Sequence, residues 1–200
     1  MRQLPLEISP PPEPTLENFV PGANAELVAR LRELLSGSFT ETVIYLWGEP
    51  GSGRSHLLRA CARPGVHAAD DVQRLDDAGQ VELFHRINQA REAGGAVLAA
   101  GDVPPARLSL REDLRTRLGW GLVYHVVPLT DEDKARCLRA EAERRGMKLA
   151  DEVLGYLLAR VRRDMRSLAA VLDRLDAYSL ERQRPLTLPL VREALKTPDA

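Results

Sequence analysis

The chain has 200 residues, 44% of them apolar, and 28 basic against 29 acidic side chains for a net charge of −1. That size and apolar share suit one modest domain plus a small appendage with a real core, while the balanced charge excludes a global field drawing nucleic acid or a membrane surface. Cys61 and Cys137 are isolated thiols without metal or redox spacing, and neither a leader nor an apolar run of membrane length is evident, so a reducing cytoplasmic setting is expected.

In chain order, residues 1–14 carry prolines at 10, 11, 12 and 14 and are expected to be extended. A helix follows over 23–35, with Leu27, Leu31, Leu34 and Leu35 on one side. Val43-Ile44-Tyr45-Leu46-Trp47 reads as a buried strand, and a helix starts near Ser55. Val66-His67-Ala68-Ala69-Asp70-Asp71 reads as a second, weak strand. The span 78–93 is amphipathic, with Val81, Phe84, Ile87 and Ala90 expected to face inward. A strand at 96–100, a short helix at 109–118 and a strand at 122–127 complete an alternation that predicts an α/β fold, a mostly parallel sheet with helices on both faces. Beyond Pro128 the pattern turns wholly helical, over 131–145, 150–162, 164–181 and 188–196, with Thr130 and Asp131 offering the first N-cap. The expected organisation is a tail at 1–14, an α/β domain at 15–128 and a helical domain at 129–200.

Between the first strand and its helix stands Gly48-Glu49-Pro50-Gly51-Ser52-Gly53-Arg54-Ser55, of the form Gly-x-x-x-x-Gly-Lys/Arg-Ser/Thr. In a strand–loop–helix context this is a phosphate-binding loop. Its glycines let the backbone wrap a phosphate, and free N–H groups supply positive potential. Ser55 is placed to reach Mg²⁺, and Arg54 replaces the usual compact ammonium with a wide planar fork. Lysine occurs only at 134, 148 and 196, so the arginine also fits a general bias of this chain. A loop of this kind is expected to bind nucleotide and turn it over poorly; the bland reading is a Gly/Pro/Ser turn.

Asp70-Asp71, at the end of the weak strand, is the natural second half of such a site, able to hold Mg²⁺ through water and orient an attacking water. The alternative is a solvated turn before Val72. About fifteen residues separate Arg54 from Asp70, room for one helix and one strand only. Arg117, late in a short helix, suits either a finger projecting to a neighbour's nucleotide or a plain surface arginine. Arg166, opening a later helix, suits either a reporter of the bound nucleotide or a charge paired with Asp164. His56, His67, His85 and His125 lack metal spacing, and Ser55 lacks the partners of a nucleophile elbow.

Taken in order, these motifs resemble the AAA+ module of the bacterial initiator DnaA. Thr15-Leu16-Glu17-Asn18-Phe19-Val20-Pro21-Gly22 resembles the opening box beside the adenine, Asp70-Asp71-Val72-Gln73 the Walker B segment, Gly101-Asp102-Val103-Pro104-Pro105 the sensor 1 segment, and Met165-Arg166-Ser167-Leu168 sensor 2. The chain is more similar still to the Hda family, the DnaA-homologous regulators of initiation. The loop Gly-Arg-Ser-His-Leu-Leu and the stretch 117–134 carry that similarity, and no helix-turn-helix domain follows the helical segment. Gln3-Leu4-Pro5-Leu6-Glu7-Ile8 resembles the family's peptide for the β sliding clamp, with Gln3 for a polar pocket and Leu4, Leu6 and Ile8 as apolar anchors.

The resemblance implies an AAA+ sheet with a helical lid, and a sheet shortened by the strand–helix unit normally found between phosphate loop and Walker B. It implies ADP or ATP with Mg²⁺, held by Gly48, Gly51, Ser52, Gly53, Arg54, Ser55, His56 and Arg166, with Asp70, Asp71 and Asp102 around the phosphates and Ser55 and Asp70 toward the metal. It implies Arg117 as a finger promoting hydrolysis of ATP on DnaA, making the chain a negative regulator of replication initiation with little or no hydrolysis of its own. The partners so implied are DnaA, the clamp, and DNA through the clamp, with self-assembly open and no membrane. Two alternatives stay open: an autonomous ATPase of helicase-loader type, and a clamp adaptor without nucleotide binding.

Overall fold

A computed structural model describes residues 13–161 and 165–196. The apolar runs become four strands, and the amphipathic stretches around them become helices. Chain order is α1 (Ala25–Ser36), β1 (Val43–Trp47), α2 (Arg54–Ala60), β2 (Val66–Ala69), α3 (Asp77–Ala93), β3 (Ala96–Gly101), α4 (Glu112–Leu118) and β4 (Leu122–His125), then α5 (Asp131–Arg144), α6 (Asp151–Arg160), α7 (Met165–Arg182) and α8 (Leu188–Lys196). Contacts divide the chain into two units, one over Pro12–Pro128 and one containing Leu129–Ala200.

The sheet is parallel throughout, in the order β2-β3-β1-β4. Every residue of β3 is buried, as is β1 apart from its last residue, which is why both read as continuous apolar runs. One face is closed by α1 and α2, where Leu27, Leu31, Leu57 and Leu58 pack on Ile44 and Leu46. The other is closed by α3 and α4, where Leu83, Ile87, Leu114 and Leu118 pack on Val43 and Tyr45. β1 leads through α2 directly to β2, so the expected shortening of the sheet is present in the fold. The weak strand β2 has no fully buried residue, in keeping with its place at an edge.

Several boundaries and one helix face differ from the sequence reading; β2 stops at Ala69, short of Asp70 and Asp71, where Asp71 turns to a positive φ of 50°. The helix expected from Ser109 begins at Glu112, because a 3₁₀ turn at Pro105–Arg107 precedes it and the Arg111 N–H donates to Gln80 Oε1 at 2.9 Å. β4 ends at His125 and not at 127. The Asn24 side chain accepts from Val127 N at 2.8 Å and donates to Val127 O at 2.9 Å, pinning that residue to the start of α1. α1 itself starts at Ala25 after a 3₁₀ turn over Gly22–Asn24. On α3 the buried positions are Gln80, Leu83 and Ile87, while Val81, Phe84 and Ala90 sit at the margin. Gln80 also donates to Leu75 O at 3.2 Å, so backbone groups claim it and turn the face.

The helical unit holds two apolar clusters. Leu138 and Ala142 of α5 meet Leu154, Leu168 and Leu172, and Val153, Leu157 and Leu175 meet Leu190, Val191 and Ala194. Thr130 caps α5, its Oγ1 accepting from Asp133 N at 3.1 Å. Arg145 pairs with Glu141 at 2.6 Å and with Asp173, tying α5 to α7. No described helix is long and apolar enough to cross a membrane.

Burial pushes the Cys61 thiol up to about 11. Because labelling follows the thiolate fraction, Cys61 is expected to react with a thiol reagent at pH 8 only when denaturant exposes it. A fast-reacting Cys61 in the native protein would show that the α2 core is open.

Candidate functional site

The loop after β1 has the geometry of a phosphate cradle. Gly51 and Gly53 have φ of +84° and +102°, where a side chain would be strained. A Cβ on Gly48 would lie 2.6 Å from the Val126 carbonyl oxygen, and one on Gly53 would lie 2.8 Å from Phe19 Cε2. Ser52 is 7% exposed, and its Oγ is buried with no hydrogen-bond partner. A buried hydroxyl left alone costs about 1–3 kcal/mol, so this one marks a place where the fold lacks an acceptor or donor. Ser55, in the first turn of α2, is exposed.

The opening segment packs on this loop. Thr15 and Asn18 exchange backbone–side-chain hydrogen bonds at 2.9 and 3.2 Å, forming a small turn. His56 Nε2 lies 2.9 Å from Thr15 O, and its ring is 5.4 Å from that of Phe19. His56 is therefore joined to the segment expected beside an adenine.

Arg54 is placed differently from a side chain reaching out of the loop. It is 8% exposed and donates through Nη1 to Gly101 O at the end of β3. The end of β3 is crowded: a Cβ on Gly101 would overlap the Tyr45 hydroxyl and approach Gln73 Oε1 to 3.3 Å. Tyr45 in turn donates to Val103 O at 2.9 Å, and burial, with the charge of Asp102, pushes its phenol above its ordinary range. Asp102 itself is exposed. Gly101→Ala is expected to destabilise by about 2 kcal/mol, and adding Tyr45→Phe should recover part of that by removing the overlapping oxygen. A double-mutant cycle in urea checks it; strict additivity would separate the two sites.

Asp70 and Asp71 follow β2, which is two strand spacings, about 10 Å, from β1. Asp70 Oδ1 accepts from Asp71 N at 3.0 Å. Asp71 Oδ1 accepts from Gln73 Nε2 at 3.1 Å, and Asp71 lies 3.6 Å from Arg74. Gln73 Oε1 is buried and unpartnered. Gln73, unnoticed in the sequence beyond its place in the segment, thus joins the acidic pair to the end of β3. No group of three or more His, Cys, Asp or Glu among the described residues could hold a metal ion.

Arg117 stands apart from these groups, in the last turn of α4. It lines an open cleft of about 630 Å³ with Phe84, Arg111, Glu112, Asp113, Thr116 and Trp120. Its Cζ lies 4.4 Å from the Phe84 ring centroid and 4.8 Å from that of Trp120. The nearby Asp113 is engaged by Arg111 at 2.9 Å, and no ion pair of Arg117 occurs among the described residues. Arg166 lies in the first turn of α7, but its side chain lies outside the described residues, as do Gln3, Leu4, Leu6 and Ile8.

A parallel sheet carrying this loop, followed by a helical unit, is an α/β fold of the AAA+ type. Solved structures of that fold align closely. Domain III of DnaA from Thermotoga maritima is 23% identical, covering 93% of this chain and 97% of that chain with a TM-score of 0.76. DnaA from Aquifex aeolicus, bound to AMPPCP, is 21% identical, covering 81% and 64%, with a TM-score of 0.68. The RuvB Holliday junction branch migration motor of Thermotoga maritima is 16% identical, covering 92% and 71%, with a TM-score of 0.67. Residues 131–195 match the family model for the Hda lid domain. The similarity to the Hda lid domain is therefore shown over those residues.

Proposed function

We propose that this chain is a regulator of replication initiation of the Hda type, which stimulates hydrolysis of ATP bound to DnaA. Gln3, Leu4, Leu6 and Ile8 tether it to the β sliding clamp on DNA. Arg117 enters the neighbour's nucleotide site and stabilises the charge that develops on the transferring phosphate. The observation that carries this reading is Arg117: an arginine at the rim of an open cleft, free of an acidic partner among the described residues. The lid match supports the family of the partner.

The chain's own loop suits the phosphates of a nucleotide, a reading that the partnerless Ser52 Oγ and the close-packed glycines support. The backbone of Gly48, Gly51, Ser52 and Gly53 would hold the phosphates, with His56 and the Thr15–Gly22 segment toward the base. Arg166 would read which nucleotide is present, Ser55 and Asp70 would face Mg²⁺, and Asp71 and Asp102 would complete the rim. ADP is the form this reading favours, with self-assembly left open. A bound nucleotide would bring negative charge to the loop's N–H groups; the chain's residues would bind and orient it, and Arg54 would share its fork between phosphate and Gly101 O.

The deciding experiment follows hydrolysis of ATP pre-bound to DnaA with this protein, ADP and DNA-loaded clamp, comparing wild type with Arg117→Ala. Loss of stimulation with clamp binding intact supports the finger. Equal rates with both proteins, or none with either, sink it.

A second reading, an adaptor without nucleotide, is favoured by the bond from Arg54 to Gly101 O. Ser52→Ala separates the two. Removing an unsatisfied hydroxyl should leave the nucleotide-free protein equally stable or more stable by up to about 1 kcal/mol. If the loop binds nucleotide, the same change should weaken ADP in calorimetry by about tenfold. A protein with no ADP heat in either form is the adaptor.

A further inference from the structure

The three side chains around the cleft come from separate places: Phe84 from α3, Arg117 from the last turn of α4, and Trp120 from the turn after it. Packing brings them together, with Arg117 Cζ over both rings at 4.4 and 4.8 Å. Trp120 is 57% exposed, so burial in the core is not what retains an indole there. A guanidinium over a ring face is attracted by the ring's quadrupole, and its hydrogen-bond donors radiate in its plane. No hydrogen bond of the Arg117 side chain occurs among the described residues, so those donors remain available to a ligand entering the cleft. The frame is fixed by Gln80, 7% exposed, which accepts from Arg111 N and so sets the start of α4 against α3.

We propose that Phe84 and Trp120 are positioning residues that restrain the Arg117 guanidinium, leaving its in-plane donors to fork onto the terminal phosphate oxygens of a nucleotide held by a partner. This rests on the finger reading of Arg117. A long arginine on a surface helix otherwise samples many rotamers, and ordering it at the moment of contact is unfavourable. Two aromatic faces remove much of that freedom beforehand, so the effect belongs to the rate within the complex and not to the formation of the complex.

The test measures hydrolysis of ATP pre-bound to DnaA over a range of concentrations of this protein, with ADP and loaded clamp present. Trp120→Ala is expected to lower the maximal rate about fivefold with an unchanged half-saturating concentration. Trp120→Phe, which keeps a π-face, should restore most of the rate. Phe84→Leu, which keeps bulk without the ring, should lower it like Trp120→Ala. In parallel, the Arg117 δ-methylene protons of the free protein should show an upfield ring-current shift in NMR that Trp120→Ala reduces. A Trp120→Ala protein with an intact maximal rate and a raised half-saturating concentration would make Trp120 a docking contact and overturn the proposal. So would an unchanged proton shift. Loss of stimulation in Arg117→Ala but not in Trp120→Ala overturns the positioning role of the two rings alone, whereas full stimulation by Arg117→Ala overturns the finger reading and that role with it.

Discussion

Arg117→Ala is expected to lower the stimulated hydrolysis of DnaA-bound ATP by about 10³-fold or more, the lower bound for an arginine finger. The effect is large because the residue offers charge and directed hydrogen bonds to a transition state that spreads charge over the phosphate oxygens. Arg117→Lys should rescue little of it. An ammonium is a compact point charge without the planar fork, and it gives up the guanidinium carbon held over the Phe84 and Trp120 rings. Folding should be nearly untouched, within about 1 kcal/mol, since the side chain contributes surface cation–π contacts and not core packing. Single-turnover hydrolysis together with thermal melting separates the two effects. A rate loss accompanied by a collapse in stability would assign Arg117 a structural role.

The largest effect on stability is expected at Gly121. A Cβ there would overlap the Val43 carbonyl oxygen and lie 2.7 Å from its carbonyl carbon. The obstacle is backbone at the start of the central strand β1, immediately before the pairing of Ile44 with Leu122, so no rotamer change relieves it. Gly121→Ala must push β4 away from β1 or bend the turn after α4. A cost of about 3 kcal/mol is expected, lowering the melting temperature by roughly 6–12 °C in a chain of this size. Because β4 also leads to Val126, whose carbonyl approaches Gly48, nucleotide binding should weaken as well. A melting curve superimposable on wild type would mean that the turn has more room than its geometry indicates.

Much of this molecule was legible before its structure. The apolar runs at Val43–Trp47 and Ala96–Gly101 declared buried parallel strands because both faces of such strands are covered. The octapeptide from Gly48 to Ser55 declared a glycine-shaped turn between a strand and a helix, and Gly48, Gly51 and Gly53 indeed take positive φ. The short interval from Arg54 to Asp70 announced the missing strand–helix unit, and the sheet indeed has β3 between β1 and β2 with nothing inserted after α2.

What the linear order could not reveal were contacts made by polar side chains over long separations. Asn24 ending β4, Gln80 turning the α3 face and setting α4, and Arg54 turned onto Gly101 all depend on which backbone groups lie close in space. Phe84 had the spacing of a core residue and became a platform for Arg117, since one step of helix rotation exchanged it with Leu83. Local periodicity and motif spacing determine strands, helices and the glycine turn after β1, because those follow from the chain's own geometry. Only the tertiary structure decided which carbonyl Arg54 meets, which hydroxyl is left without a partner, and which rings lie under Arg117. A hydrogen bond or a ring contact needs its two groups within a few ångströms, and the packing of the elements sets that distance.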